Sequence, residues 1–203
     1  MKRRQTPRRP PRRTGRGVVT QGIVVAPGRA ARLFARLRRR GARIVFTNGV
    51  FDLLHAGHVR LLVAARAHGD CLVVGVNSDA SVRRLKGRGR PIIPLAERME
   101  MLAGLKPVDY VVPFGEATPA RIIEVVLPAV LVKGSDYRKA EIVGRATVEA
   151  GGGRVVRVPL RSGRSTSSLI ERARKVLKAR APARRAARRR PAARRRPAAR
   201  RRR

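Results

Sequence analysis

The chain has 203 residues, with 50 Lys plus Arg against 12 Asp plus Glu, a formal charge of +38. That length suits about one domain of the usual ~100–200 residues. One Cys excludes an internal disulfide framework, and six aromatics without Trp leave a core of Val, Leu, Ile and Ala. No stretch reaches the ~20 consecutive apolar residues of a membrane helix, and the basic, Pro-rich start lacks the apolar run of a signal peptide. A soluble, cytoplasmic protein without membrane contact is expected.

Charge is concentrated at the ends. Residues 1–17 hold eight basic side chains and 178–203 hold fourteen, with no acid in either. The last eighteen residues are three near-copies of Ala-Ala-Arg-Arg-Arg-Pro, too short a period for a repeat with its own core. Like-charge repulsion and Pro191 and Pro197 argue for disorder there, and Pro7, Pro10 and Pro11 among Arg pairs argue the same at the start. The expected organisation is a disordered basic arm at 1–17, a folded domain at 18–177 and a disordered tail at 178–203. Such arms would bind nucleic-acid backbone without sequence preference. Arg outnumbers Lys by 43 to 7, a skew that coding composition alone can produce, so Arg count by itself identifies no partner.

Between the arms, apolar runs and helical periodicities alternate. A helix over Arg29–Arg40, with Ala30, Leu33, Phe34 and Leu37 on one face, precedes a strand over Arg43–Thr47. A helix over Gly57–His68 and a buried strand over Cys71–Asn77 follow. Leu85–Pro94 reads as a Gly/Pro/basic loop and Leu95–Leu105 as a helix. Further strands are expected over Tyr110–Pro113, Val130–Lys133 and Arg154–Val158. Helices over Thr118–Leu127, Lys139–Ala150 and Thr166–Leu177 alternate with and follow them. Strands apolar on both faces, alternating with helices, predict an α/β fold: a Rossmann-like, doubly wound parallel sheet with helices on both faces. Ligands of such sheets bind beyond the carboxyl ends of the strands, near the switch in strand order.

The first strand runs into Thr47-Asn48-Gly49-Val50-Phe51-Asp52-Leu53-Leu54-His55-Ala56-Gly57-His58. Gly49 allows close backbone approach, and the next helix begins with free amides facing the strand end, an anion site in outline. His55 and His58 face that place and can donate to phosphate oxygens. The plainer alternatives are an incidental pair or a metal site lacking its third ligand. No Cys or carboxylate at ligand spacing supports a metal.

This segment resembles the His-x-Gly-His signature of the nucleotidylyltransferase superfamily. Val76-Asn77-Ser78-Asp79, Arg84-Leu85-Lys86-Gly87, Arg90-Pro91, Glu97-Arg98, Val132-Lys133-Gly134-Ser135-Asp136-Tyr137 and Gly163-Arg164-Ser165-Thr166-Ser167 follow in order. Together they resemble the adenylyltransferases that make ADP-heptose from D-glycero-β-D-manno-heptose 1-phosphate, over about Arg29 to Leu177. The departures are Ala129 where many relatives have Asp, Ser135 where they have a second Gly, and Ser167 where they have Thr. In some bacteria this activity is fused behind a sugar kinase. With no kinase-length segment ahead of residue 29, another protein is expected to supply the sugar phosphate.

The resemblance implies transfer of AMP from ATP to a sugar 1-phosphate, with pyrophosphate leaving and Mg2+ carried by the ATP. It implies His55, His58 and Lys86 as the catalytic set. Thr47, Asn48, Gly49, Phe51, His55, His58, Lys133, Gly134, Ser165, Thr166 and Ser167 would bind the nucleotide. Asp52, Asp79, Lys86, Arg98 and Asp136 would bind the sugar phosphate, and no protein-held metal is implied. Lys86 is expected on a mobile loop. The plainer role for Arg98 is an ion pair with Glu97 or Glu100, and for Ser165–Ser167 a helix cap. Two other readings stand beside this one: a cytidylyltransferase for glycerol 3-phosphate or an aminoalcohol phosphate, and a nucleic-acid-binding protein acting through its arms. The sequence is compatible with a homodimer and does not specify the oligomeric state.

Overall fold

The computed structural model describes residues 22–135, 138–159, 166 and 168–177. Two compact units are distinguished, Met1–Arg164 and Ser165–Arg203. The described part of the second is helical at 166 and 168–177 and carries an ion pair between Lys175 and Glu171. The basic arms, with Asp136, Tyr137, Gly163, Arg164, Ser165 and Ser167, lie outside the described residues.

In the first unit six strands form one all-parallel sheet: β1 (Ile23–Val24), β2 (Ile44–Gly49), β3 (Cys71–Asn77), β4 (Tyr110–Phe114), β5 (Val130–Gly134) and β6 (Arg154–Val158). Their spatial order is β1-β4-β3-β2-β5-β6. The chain lays β3 and β4 to one side of β2 and then returns to lay β5 and β6 on the other. The switch in strand order therefore falls between β2 and β5, where such sheets bind ligands.

Successive strand residues point to opposite faces, and the core divides accordingly. Ile44, Phe46, Val73 and Leu131 face one cluster; Val45, Leu72, Val74 and Val130 face the other. Helices α1 (Pro27–Arg39), α5 (Ala120–Val126) and α6 (Arg145–Ala150) give Phe34, Ile123 and Val148 to the first cluster. Helices α2 (Ala56–Arg66) and α4 (Leu95–Gly104) give Leu62 and Leu102 to the second. Phe34 is fully buried and meets Tyr110 edge-on at 5.8 Å; truncating such a ring to Ala costs about 3–5 kcal/mol. The doubly wound sheet expected from the alternation is present.

Three local differences from expectation have physical causes. β1 pairs with β4 over two residues at the sheet edge, too short for any periodicity to register. A helix α3 (Asp79–Lys86) fills a stretch that had suggested no element and takes in the start of the expected loop. Only Val82 and Leu85 supply apolar spacing in it, but Ser78 caps it by accepting from the Ser81 amide at 3.2 Å. The helix expected over Lys139–Ala150 is broken into a 3-10 turn at Lys139–Glu141 and α6, because Gly144 sits in the left-handed region at φ 85°.

Candidate active site

β2 pairs with β3 along its whole length, to Gly49 opposite Val76. It pairs with β5 only at Val45–Val130 and Phe46–Leu131. The two strands thus part toward their carboxyl ends, leaving Asn48 and Lys133 to face each other across the gap. Lys133 Nζ donates to Asn48 Oδ1 at 2.5 Å, and Lys133 is buried. A buried ammonium is costly unless paired, so this cation is held at the switch point by design of its neighbours. Gly134, also buried, ends β5 beside it.

Past Gly49 the chain turns into α2. His55 is the N-cap of that helix, its Nδ1 accepting from the Gly57 amide at 3.1 Å. That bond bears on the tautomer: a neutral His55 that accepts through Nδ1 carries its ring proton on Nε2. His58, in the first turn, stacks on His55 with ring centroids 3.9 Å apart and planes 23° off parallel. Burial, and secondarily the positive potential of His55, pushes the His58 pKa down to about 4. Both factors disfavour a second positive charge, so His58 is neutral at pH 7.

Among the described residues, two buried side-chain polar atoms lack any hydrogen-bond partner: Thr47 Oγ1 and His58 Nδ1. Buried polar groups are nearly always paired. Both exceptions lie within the twelve residues from Thr47 to His58, which marks this loop as built to meet a polar ligand.

Phe51 connects the loop to the histidines. Its φ is +48°, a left-handed conformation costing a non-glycine residue about 1–3 kcal/mol. Its ring lies 5.1 Å from that of His58. A Cβ at Gly49 would come within 3.1 Å of that ring, which is why the strand ends on glycine.

Two residues expected at the sugar phosphate, Asp52 and Arg98, are buried and paired within the protein. Asp52 is 1% exposed and its carboxylate accepts from Ile92 N at 2.8 Å, Ile93 N at 2.9 Å and Arg90 Nε at 2.7 Å. Burial alone would raise its pKa, but the Ile93 and Ile92 amides and Arg90 outweigh it and hold the pKa below the usual value. Arg98 is fully buried; its guanidinium donates to the carbonyls of Ile93, Val50 and Asn77 and pairs with Asp79 Oδ1 at 2.7 Å. Its ionic partner is therefore Asp79, not Glu97 or Glu100. Asp79 keeps part of its side chain exposed at the start of α3.

Lys86 is the last residue of α3 rather than part of a loop, and is exposed, with Gly87 turning the chain at φ 86°. The structure thus gathers Thr47, Asn48, Gly49, Phe51, Asp52, His55 and His58 on one strand–loop–helix segment, with Lys133 and Gly134 at the adjacent strand end. Asp136, Ser165 and Ser167 lie outside the described residues, and Thr166 belongs to the second unit. Arg90 stands in the resemblance as part of Arg90-Pro91, with no role assigned to it there. A signal for its role is the lone acid of the Thr47–His58 motif, which needs a cation that spacing cannot choose among Arg83, Arg84, Arg88 and Arg90. No three His, Cys, Asp or Glu side chains converge on a metal-binding set among the described residues. A cavity of about 530 Å³ lined by Gly28, Ser78, Phe114 and Arg121 lies at the ends of β3 and β4 against α1 and α5, and includes none of the histidines.

Comparison with known proteins agrees with this geometry. Residues 46–177 match the model of the cytidylyltransferase-like family. The chain is 56% identical over 159 residues to the bifunctional protein HldE of Alkalilimnicola ehrlichii, covering 78% of this chain and 32% of that protein. It is 57% identical over 153 residues to HldE of Halorhodospira halophila, covering 75% and 32%. The chain thus spans about a third of the length of these curated relatives. Among solved structures it resembles a lipopolysaccharide core biosynthesis protein from Thermoplasma volcanium, at 30% identity and a TM-score of 0.51, covering 61% of this chain and 100% of that one. A pantoate-beta-alanine ligase from Francisella tularensis shares the fold at 15% identity and a TM-score of 0.51, covering 72% and 69%.

Proposed function

The chain belongs to the cytidylyltransferase-like family, and from that premise we propose that it is an adenylyltransferase acting on a sugar 1-phosphate, D-glycero-β-D-manno-heptose 1-phosphate. A phosphate oxygen of the sugar attacks the α-phosphorus of ATP. The bond from that phosphorus to the oxygen bridging to the β-phosphate breaks, and ADP-heptose and pyrophosphate result. The observation that carries this reading is the stacked His55–His58 pair at the strand end, with the buried Nδ1 of His58 and Oγ1 of Thr47 lacking partners.

The pair supplies N–H donors to phosphate oxygens as charge builds on the leaving group, with His55 donating through Nε2. His58, neutral at pH 7, does this without the penalty of bringing a further cation into a buried site. One such donor is worth about 10²–10³-fold in turnover. Lys133 adds a fixed positive charge at the nucleotide, and Lys86 at the end of α3 reaches the incoming phosphate. Mg2+ carried by the ATP would supply charge neutralisation at the triphosphate, with no residue of this chain proposed to hold it. The chain's own contribution is orientation and charge stabilisation.

A pyrophosphate-release screen tests the reading, crossing ATP, CTP, GTP and UTP with heptose 1-phosphate, other sugar 1-phosphates, glycerol 3-phosphate and aminoalcohol phosphates. Release only with ATP and the heptose phosphate supports it. Release only with CTP and a polyol or aminoalcohol phosphate replaces it with a cytidylyltransferase.

A further inference from the structure

We propose that Asp52 is a positioning residue, which through Arg90 and the Ile92–Ile93 backbone locks Phe51 in its left-handed turn and so holds the Phe51 ring against His58. Both neighbours of Phe51 are tied to the same distant segment. Ahead of it, the Val50 carbonyl accepts from Arg98. After it, the Asp52 carboxylate accepts from Arg90 Nε and from the Ile92 and Ile93 amides. The Ile93 carbonyl in turn accepts from Arg98 Nε at 2.9 Å, which closes a ring of hydrogen bonds through Val50, Arg98, Ile93 and Asp52. A non-glycine residue stays left-handed only where its surroundings over-determine it, and here both flanking residues are pinned.

The consequence reaches the histidines by packing. The Phe51 ring is 4% exposed and sits 5.1 Å from His58, which stacks at 3.9 Å on His55. Freeing Asp52 lets Phe51 relax to an ordinary backbone conformation and removes the wall behind His58. Asp52 therefore acts on the reaction without touching either substrate, and the 90–93 segment becomes part of the machinery through Arg90 and two backbone amides. The kinetic half of this inference rests on the adenylyltransferase reading; the structural half does not.

The test uses the full chain. It has three histidines, so its ligand-free NMR spectrum shows three histidine Cε1–H cross-peaks. Asp52→Asn and Arg90→Gln are expected to move the His58 cross-peak in the direction that Phe51→Leu moves it, leaving His68 in place. In turnover assays Asp52→Asn is expected to lower kcat about tenfold or more, with KM for both substrates within about twofold. Combined with Phe51→Leu, it should cost little beyond the worse single change, because the two act through one contact. A raised KM for the sugar phosphate at unchanged kcat would mean that Asp52 touches substrate and overturns the proposal. So would an unmoved His58 cross-peak, or kcat losses that multiply in the double variant. If Asp52→Asn does not fold, Arg90→Gln, which keeps the carboxylate and its two backbone bonds, is read instead. If no adenylyl transfer occurs with any substrate pair, the functional reading fails, and the cross-peaks alone decide the clamp.

Discussion

Lys133 and Asn48 meet across the gap where β2 and β5 stop pairing, the ammonium donating to the amide oxygen at 2.5 Å. Two strands that separate at their carboxyl ends leave room for a ligand, and a cation fixed beside that room is placed to meet a phosphate. Lys133→Met is expected to raise KM for the nucleotide about tenfold or more, since a hydrogen bond from a charged group contributes ~1.5–3 kcal/mol. Lys133→Arg should not restore it, because a planar guanidinium cannot occupy the same buried point. Steady-state kinetics with the nucleotide varied check this, and an unchanged KM in the Met variant would remove Lys133 from the site.

His55→Ala and His58→Ala should both lower kcat about 100-fold, yet differ in stability. His55 caps α2, and losing such a cap costs about 0.5–2 kcal/mol. His58 Nδ1 has no partner to lose, so its replacement forfeits ring packing only. Thermal melts beside the kinetics should show the lower Tm in His55→Ala. Equal activity loss with the larger Tm loss at His58 would contradict the cap assignment.

The pH dependence of stability follows from two groups with separate windows. His58 titrates near 4 when folded and near the ordinary 6.5 when unfolded, so between these values the unfolded chain binds the extra proton. Its contribution is complete above about pH 6.5 and is lost as pH falls toward 4. Asp52, held below the usual 3.8, keeps its contribution above that value and loses it only in stronger acid. Between pH 7 and 5 the wild-type Tm should therefore fall more than that of His58→Gln. Parallel Tm curves for the two proteins over that range would rule the assignment out.

Lys86→Ala should raise KM for one phosphorylated substrate or lower kcat with the fold intact, since the side chain is exposed at the end of α3. Unchanged kinetics with both substrates varied would leave it a solvated lysine.

Removing residues 1–17 and 178–203 takes away 22 of the fifty basic side chains and none of the Thr47–His58 loop or Lys133. Near physiological salt, where the screening length is ~8 Å, the trimmed protein should keep its kcat/KM. Its affinity for DNA or RNA should fall, along with most of the salt dependence of that binding. A well-folded trimmed protein that lost more than about tenfold in kcat, ~1.4 kcal/mol, would place the arms in catalysis.

What could be read from the sequence was what is local. The strand, Gly49, the two histidines and the helix behind them follow within twelve residues, so spacing alone brings them to one strand end. Val and Leu on both faces of β3 and β5 announced a sheet covered on both sides. The loop clamp could not be read this way. Asp52 and Ile93 are 41 residues apart, Arg98 and Asp79 are 19 apart, and only the folded sheet decides that their loops converge. For the same reason the sequence offered Asp52 and Arg98 for the sugar phosphate without showing their partners within the fold, Arg90 and Asp79. α3 escaped notice because its stability comes from a cap and from packing of Val82, not from a long apolar stripe.

Cys71 opens β3, between β2 and β4 in the middle of the sheet, and is 8% exposed. Burial, reinforced by the nearby Asp109, pushes its thiol up to about 12, so at neutral pH it carries no thiolate to react. It is the chain's one cysteine. A thiol reagent can therefore modify the native protein only when the sheet opens at β3, and with reagent in excess the modification rate counts those openings. The chain thus carries its own unfolding probe, and adding heptose phosphate or nucleotide would show directly whether either ligand slows the opening of the central strands.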